Sequence, residues 1–162
     1  MTVSFVDLRG FTALSERLPP EELRATINAY LEEAMEAINA KQGTVDKIVG
    51  DEVMALFGAP RHFADHALRA VEAACDQVAR VEKLQSQFAS AGQLMPPCGI
   101  GINTGEMVLG NIGSSMRQDY TVMGAAVNLA SRLCSVARGS EILVTQATLD
   151  AIIRVSKRVD CH

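Results

Sequence analysis

The chain has no tryptophan, and only two tyrosines and five phenylalanines among 162 residues. Binding single-stranded bases by stacking needs aromatic platforms, so that class is disfavoured. Positive charge is also scarce. Fifteen Lys and Arg stand against 19 Asp and Glu, a net charge of −4. Non-specific nucleic-acid binding needs a basic footprint, so no nucleic-acid partner is expected. No run of 18 apolar residues exists, which excludes a membrane-spanning helix and direct membrane insertion. The opening Met1-Thr-Val-Ser-Phe lacks the basic segment and apolar core of a secretion signal. Cysteine is sparse as well: Cys75, Cys98, Cys134 and Cys161 form no C-x-x-C pair. None of His62, His66 and His162 lies near a cysteine at zinc-finger spacing, which argues against structural zinc. Scattered thiols without a leader sequence read as reduced cysteines of a cytoplasmic protein, or of a domain tethered to a larger one.

What is present is globular. Hydrophobic residues make up 48% and charged residues 21% of the chain. No repeat, low-complexity tract or linker divides it, so residues 1–162 read as one domain. A domain of this size buries roughly 70% of its extended-chain surface on folding.

Periodicity and punctuation give the elements. Val3 to Leu8 reads as a strand. Glu21 to Ala40 places Leu23, Ile27, Tyr30, Leu31, Ala34 and Ile38 at helical spacing after Pro19-Pro20, and Gly43 ends that helix. Val45–Val49 and Val53–Phe57 flank Gly50-Asp51 as a hairpin. Asp65 caps a second long helix through Leu84, and Pro96-Pro97 stops any continuation. Gly99–Val108, Gly110–Gly113 and Tyr120–Met123 are further strands, followed by a helix over Asn128–Val136. Glu141–Thr145 is a strand and Gln146–Ile153 a final helix. This order predicts an α+β sandwich, with helices covering one face of a mainly antiparallel sheet. Regular β-α alternation, which a doubly wound fold needs, is absent.

Three segments carry chemistry. In FVDLRGFT (Phe5 to Thr12), Asp7 ends a strand, and Gly10, Phe11 and Thr12 follow at a helix start. Backbone N–H groups at such a turn can cradle phosphate, and a carboxylate beside them suits a hard divalent ion. Asp7 as a plain turn or capping residue is an equal reading. No Walker A loop occurs. In VDKIVGDEVMALFG (Val45 to Gly58), Asp51 and Glu52 sit in the hairpin turn. Strict alternation puts Val45, Lys47 and Val49 on one side, with Lys47 either a solvated edge residue or directed into a pocket. In QDYTVMGAAVNLASRL (Gln118 to Leu133), Asn128 and Arg132 are four apart and share one helical face, on the order of 6 Å apart along the axis. They read either as an exposed polar stripe or as ligands of a ribose and a phosphate. His62 and His66 read as cap and helix-surface residues, Glu52 as a hairpin residue, Cys98 and Cys134 as small buried apolar groups, and the methionines as core filler.

Together, FVDLRGFT, VDKIVGDEVMALFG and DYTVMGAAVNLASRL resemble, in order, the catalytic domain of class III adenylate/guanylate cyclases. The 44-residue interval between Asp7 and Asp51, the Asp65-His66-Ala67 helix opening and the strand EILVT fit as well. The resemblance implies a ferredoxin-like α+β core and a head-to-tail homodimer with two shared active sites. Asp7 and Asp51 match the carboxylates that bind two Mg²⁺ or Mn²⁺ ions, assisted by the Leu8 carbonyl. Lys47 and Thr121 match the base-recognising positions, Asn128 the ribose-orienting residue and Arg132 the residue that stabilises the transition state. The metal pair comes from one subunit and the other four residues from its partner. The implied reaction is attack of the ribose 3′-oxygen of ATP on the α-phosphorus, giving cyclic AMP and pyrophosphate in intracellular signal transduction. Lys47 can only donate, which suits adenine N1, and Thr121 can accept from adenine N6. Guanylate cyclases of the family typically carry Glu and Cys there. In Thr121 the chain resembles the Thr-bearing subgroup, some of whose members respond to bicarbonate. Ala125 and Ala126 depart from more polar residues. The chain stops before the family's terminal strands and their triphosphate-contacting Lys, so it reads as a fragment of a longer regulatory protein. The alternatives are a guanylate or dual-specificity cyclase, or a catalytically weak cyclase-like module that dimerises or binds nucleotide.

Overall fold

A computed structural model of the chain describes residues 1–159, with side chains to Lys157; Cys161 and His162 lie outside the described residues. The elements in order are β1 (Thr2–Leu8), α1 (Phe11–Ser15), α2 (Pro20–Ala40), β2 (Thr44–Val49), β3 (Glu52–Phe57), α3 (His66–Ser90), β4 (Cys98–Thr104), β5 (Val108–Gly113), β6 (Gln118–Met123), α4 (Ala125–Val136), β7 (Ile142–Val144) and α5 (Gln146–Val159). Five strands form one sheet in the order β2-β3-β1-β4-β7, and β5 and β6 form a separate ribbon. All pairings in the large sheet are antiparallel except β4 with β7. The expected α+β sandwich with a mainly antiparallel sheet is present.

The sheet is covered on both faces, not on one. Alternation along β1 sends Val6 and Leu8 to one side and Val3 and Phe5 to the other. Val6, Leu8, Val53, Ala55, Phe57, Ile100 and Ile102 pack under α2 and α3, against Tyr30, Ala34, Ile38, Ala70 and Ala74. Val3, Phe5, Met54 and Leu56 pack on the opposite face with Ala130 and Cys134 of α4. The single-face expectation fails because the apolar stripe of α4 is short, and its exposed residues mask the side that is buried.

Gly101 explains how α4 sits there. A Cβ at Gly101 would collide with the α4 backbone at Ala130 and Cys134. Backbone cannot yield as a side chain can, so Gly101→Val is expected to cost more than the about 1–3 kcal/mol of ordinary overpacking. Gly110→Ala, where a Cβ meets nothing within 4 Å, is the control. Thermal unfolding should show a large drop for the first and little change for the second.

Several boundaries differ from the sequence reading. Helix α2 ends in a Schellman turn in which Gly43 N–H bonds Ile38 O and Gln42 N–H bonds Asn39 O. The left-handed residue is Gln42, at φ 58°, and not Gly43. The break after β4 falls at 105–107, and Gly110 lies within β5. Helix α4 begins at Ala125, so Asn128 stands one turn in. Asp65 occupies the N-cap of α3 without a capping bond and instead accepts from Arg69 Nε at 2.8 Å. His66 is not a surface residue: it is half-buried, and its Nδ1 is 2.8 Å from the Thr2 hydroxyl. Met54 and Met95 are core, but Met116 and Met123 are exposed. Cys98 and Cys134 are buried as expected, while Cys75 is exposed. No helix of the described residues is long and apolar enough to cross a membrane.

Candidate active site

The end of β1 and the turn between β2 and β3 are brought side by side because β1 pairs with β3. This places Asp7 against Asp51. Asp51 Oδ2 accepts the Leu8 backbone N–H at 3.1 Å, which fixes the hairpin turn to the strand end. Burial, then a hydrogen bond and repulsion from Asp51, push the Asp7 carboxyl up to about 7, against the opposing pull of Arg9. Glu52 is pushed up in the same way, by burial and by Asp51.

Arg9 was not singled out from the sequence, although it lies within FVDLRGFT. Its Nη2 donates to Asp7 Oδ2 at 3.1 Å. Its Nη1 donates to the carbonyls of Cys134 at 3.1 Å and Ala137 at 3.3 Å, the last of these just past α4. One guanidinium therefore ties the carboxylate pair to the C-terminal end of α4. The sequence shows only that Arg9 stands two residues after Asp7; its direction is set by these long-range bonds.

The raised Asp7 has a thermodynamic consequence. In the unfolded chain an Asp loses its proton near a pKa of about 4. In the fold it holds that proton to about 7. Between those values the folded state binds more protons, so stability falls as pH rises. Without added divalent ions, Asp7→Asn is expected to gain melting temperature over the wild type as pH rises from about 4 to about 7. A difference that stays flat across that range would refute the assignment.

At the turn after β1, Gly10 adopts φ 74° at the N-cap of α1. A side chain there would be strained. Thr12 is exposed, and Phe11 is half-buried against the core under α2.

The second group of residues lies on β2 and β6. The expected alternation on β2 fails at a bulge: Val45 pairs with Ala55, but Lys47 pairs with Met54. Paired residues point to the same side, so Lys47 faces the side opposite to Val45. Asp46 is the inserted residue. Its side chain is 3% exposed, with Oδ2 3.6 Å from Lys47 Nζ. The same oxygen accepts the Thr121 hydroxyl at 2.7 Å. Lys47 and Thr121 thus meet in one cleft of about 420 Å³, with Val49, Arg117 and Tyr120 on its walls.

Asn128 and Arg132 are both exposed on α4. Among the described residues, neither side chain has an intrachain hydrogen-bond or ion-pair partner. Of the predicted residues, the fold brings together Asp7 with Asp51, Lys47 with Thr121, and Asn128 with Arg132. No hydrogen bond among the described residues joins one of these groups to another. The buried thiols are not nucleophiles here: burial pushes Cys98 up to about 11 and Cys134 up to about 12.

The family description "Adenylate and Guanylate cyclase catalytic domain" matches residues 1–161. An adenylate cyclase of Anabaena cylindrica is 36% identical over 152 residues, 92% of this chain. The chain spans 30% of that relative's length, and between 7 and 27% of seven other curated relatives. The guanylyl cyclase Cya2 superposes with a TM-score of 0.88 at 42% identity, over 93% of this chain and 77% of that one. The adenylyl cyclase CyaB of P. aeruginosa superposes with a TM-score of 0.89 at 40% identity, over 95% and 80%. With the fold, the three motif segments and these likenesses in agreement, the chain belongs to the adenylate and guanylate cyclase catalytic domain family.

Proposed function

We propose that this domain is an adenylate cyclase that converts ATP to 3′,5′-cyclic AMP and pyrophosphate, working as a head-to-tail homodimer with two shared sites. The observation that carries the choice of ATP is the meeting of Lys47 and Thr121, 74 residues apart in sequence, in one cleft. An ammonium can only donate, and a hydroxyl can accept. That pair complements adenine, which accepts at N1 and donates at N6. Guanine carries the opposite pattern at N1 and O6, so Lys47 would confront its N1–H.

Asp7 and Asp51, with the Leu8 carbonyl, are the residues that would hold two Mg²⁺ or Mn²⁺ ions. Two carboxylates crowded until one is pushed towards neutrality call for a cation. Two carboxylates and a carbonyl are hard oxygen donors, which fit ions that take their remaining ligands from phosphate and water. Such ions supply charge neutralisation and a more acidic 3′-hydroxyl when bound. The chain's own residues do the rest. Backbone N–H groups at Gly10, Phe11 and Thr12 receive phosphate oxygens. Asn128 hydrogen-bonds the ribose and sets the angle of attack. Arg132 meets the charge that grows on the transferring phosphoryl oxygens.

Exposure supports the dimer. Asn128 and Arg132 are exposed, and so are Val49 (63%), Val108 (71%), Met123 (52%) and Leu129 (44%). Apolar residues beside unpartnered polar ones on β2, β5, β6 and α4 suit a partner surface. A second copy would bring its Asp7 and Asp51 to the Arg132 side. Bicarbonate stimulation belongs to the same reading through Thr121, and is tested by rates in bicarbonate against chloride at fixed pH.

The test is product formation from ATP and from GTP with Mn²⁺. Cyclic AMP as the main product supports the reading, and cyclic GTP in its place sinks it. A guanylate or dual cyclase is the second reading, favoured by the likeness to Cya2.

A further inference from the structure

We propose that Asp46 sets the base preference of the site by taking the Thr121 hydroxyl proton, so that Thr121 meets the base only as an acceptor while Lys47 meets it only as a donor. The inference rests on the assignment of Lys47 and Thr121 to the base made above.

A threonine hydroxyl is ambiguous by itself. It carries one proton and two lone pairs and rotates to suit its partner. Left free, it could accept from adenine N6 or donate to guanine O6, and so would discriminate poorly. The bulge in β2 removes that freedom. It inserts Asp46 beside Lys47 and buries its side chain to 3% exposure. A carboxylate can only accept, so the 2.7 Å bond to Thr121 must use the hydroxyl proton. Both lone pairs of Thr121 are then left for the ligand. The same Oδ2 lies 3.6 Å from Lys47 Nζ, holding the ammonium at the cleft. Asp46 thus fixes one donor and one acceptor at the positions where adenine needs them. Its carboxylate is engaged by the Thr121 hydroxyl and the Lys47 ammonium, which makes it a positioning residue acting through those two. This bond also links the edge strand of the large sheet to the β5–β6 ribbon, so the pattern depends on how the two sheets are joined.

The experiment compares kcat/KM for ATP and GTP, with Mn²⁺, in the homodimeric protein. Asp46→Asn replaces a pure acceptor with a group that can also donate, at constant shape. It is expected to lower the ATP/GTP preference on the order of tenfold. Thr121→Val should lower it comparably, and adding Asp46→Asn to Thr121→Val should lower it little further, since the second residue acts mainly through the first. Asp46→Ser gives the same comparison should Asp46→Asn prove unstable. Lys47→Glu with Thr121→Cys serves as the reference. If that pair shifts the preference and Asp46→Asn does not, the inference fails while the base assignment stands. A fall that is equal for both nucleotides also overturns it, since that marks a merely structural role. If neither variant moves the preference, the base assignment fails and takes this inference with it.

Discussion

Mixed in equal amounts, Asp51→Ala and Arg132→Ala variants are expected to recover about a quarter of wild-type cyclase activity, although each alone is nearly inactive. Asp51 belongs to the carboxylate pair at the end of β1, and its loss removes half of the proposed metal site. Arg132 supplies charge to the transition state, and such a donor is worth on the order of a thousandfold in rate. Within one chain, no hydrogen bond among the described residues joins the Asp7–Asp51 pair to Arg132. If each active site takes its carboxylates from one protomer and its arginine from the other, both homodimers carry two broken sites. A heterodimer carries one site broken twice and one site intact. Random exchange makes about half of the dimers heterodimers, each with one working site of two, which gives the quarter. A mixture no more active than its parts, with subunit exchange verified, would refute sharing. Substantial activity of Asp51→Ala alone would refute its role.

The second large effect concerns the base. Lys47→Glu with Thr121→Cys exchanges the donor for an acceptor and the acceptor for a weak donor, which is the guanine pattern. Sites built to hydrogen-bond a substrate reject the mismatched analogue by on the order of 10⁴-fold, because buried polar groups are left unpaired. The double variant is therefore expected to lose at least about a hundredfold in kcat/KM for ATP and to gain measurable GTP turnover. The exchange is incomplete because a thiol donates weakly and because Asp46 remains beside the new carboxylate. An unchanged ratio of ATP to GTP use would remove Lys47 and Thr121 from the base site. The solved likenesses include both a guanylyl and an adenylyl cyclase, at 42% and 40% identity, so overall similarity does not decide between the nucleotides. The residues in the cleft have to.

Much of this was legible in the chain. Short apolar runs at Val3–Leu8 and Val53–Phe57, bounded by turn residues, marked the central strands. The spacing of Tyr30, Ala34 and Ile38 marked α2, since those residues recur on one helical stripe. The carboxylates Asp7 and Asp51 stood out as charged residues at strand ends. Three features were not legible. The bulge at Asp46 leaves no local mark, because an inserted residue is visible only against its partner strand. Burial of His66 against Thr2 depends on a contact 64 residues apart. The bonds of Arg9 to the carbonyls at the end of α4 join groups 125 and 128 residues apart in the chain.

The sequence by itself determined the element types, the mainly antiparallel sheet and the residue set that marks the family. Those follow from local periodicity, turn chemistry and short motifs. Only the tertiary structure decided that both faces of the sheet are covered, with Gly101 admitting the α4 backbone. It also decided that Lys47 lies on the opposite side of the sheet from Val45, and that a buried carboxylate holds the Thr121 hydroxyl. The reason is range. Periodicity and capping act within a few residues, whereas register, close approach and the direction of a hydroxyl proton are set by groups far apart in the chain.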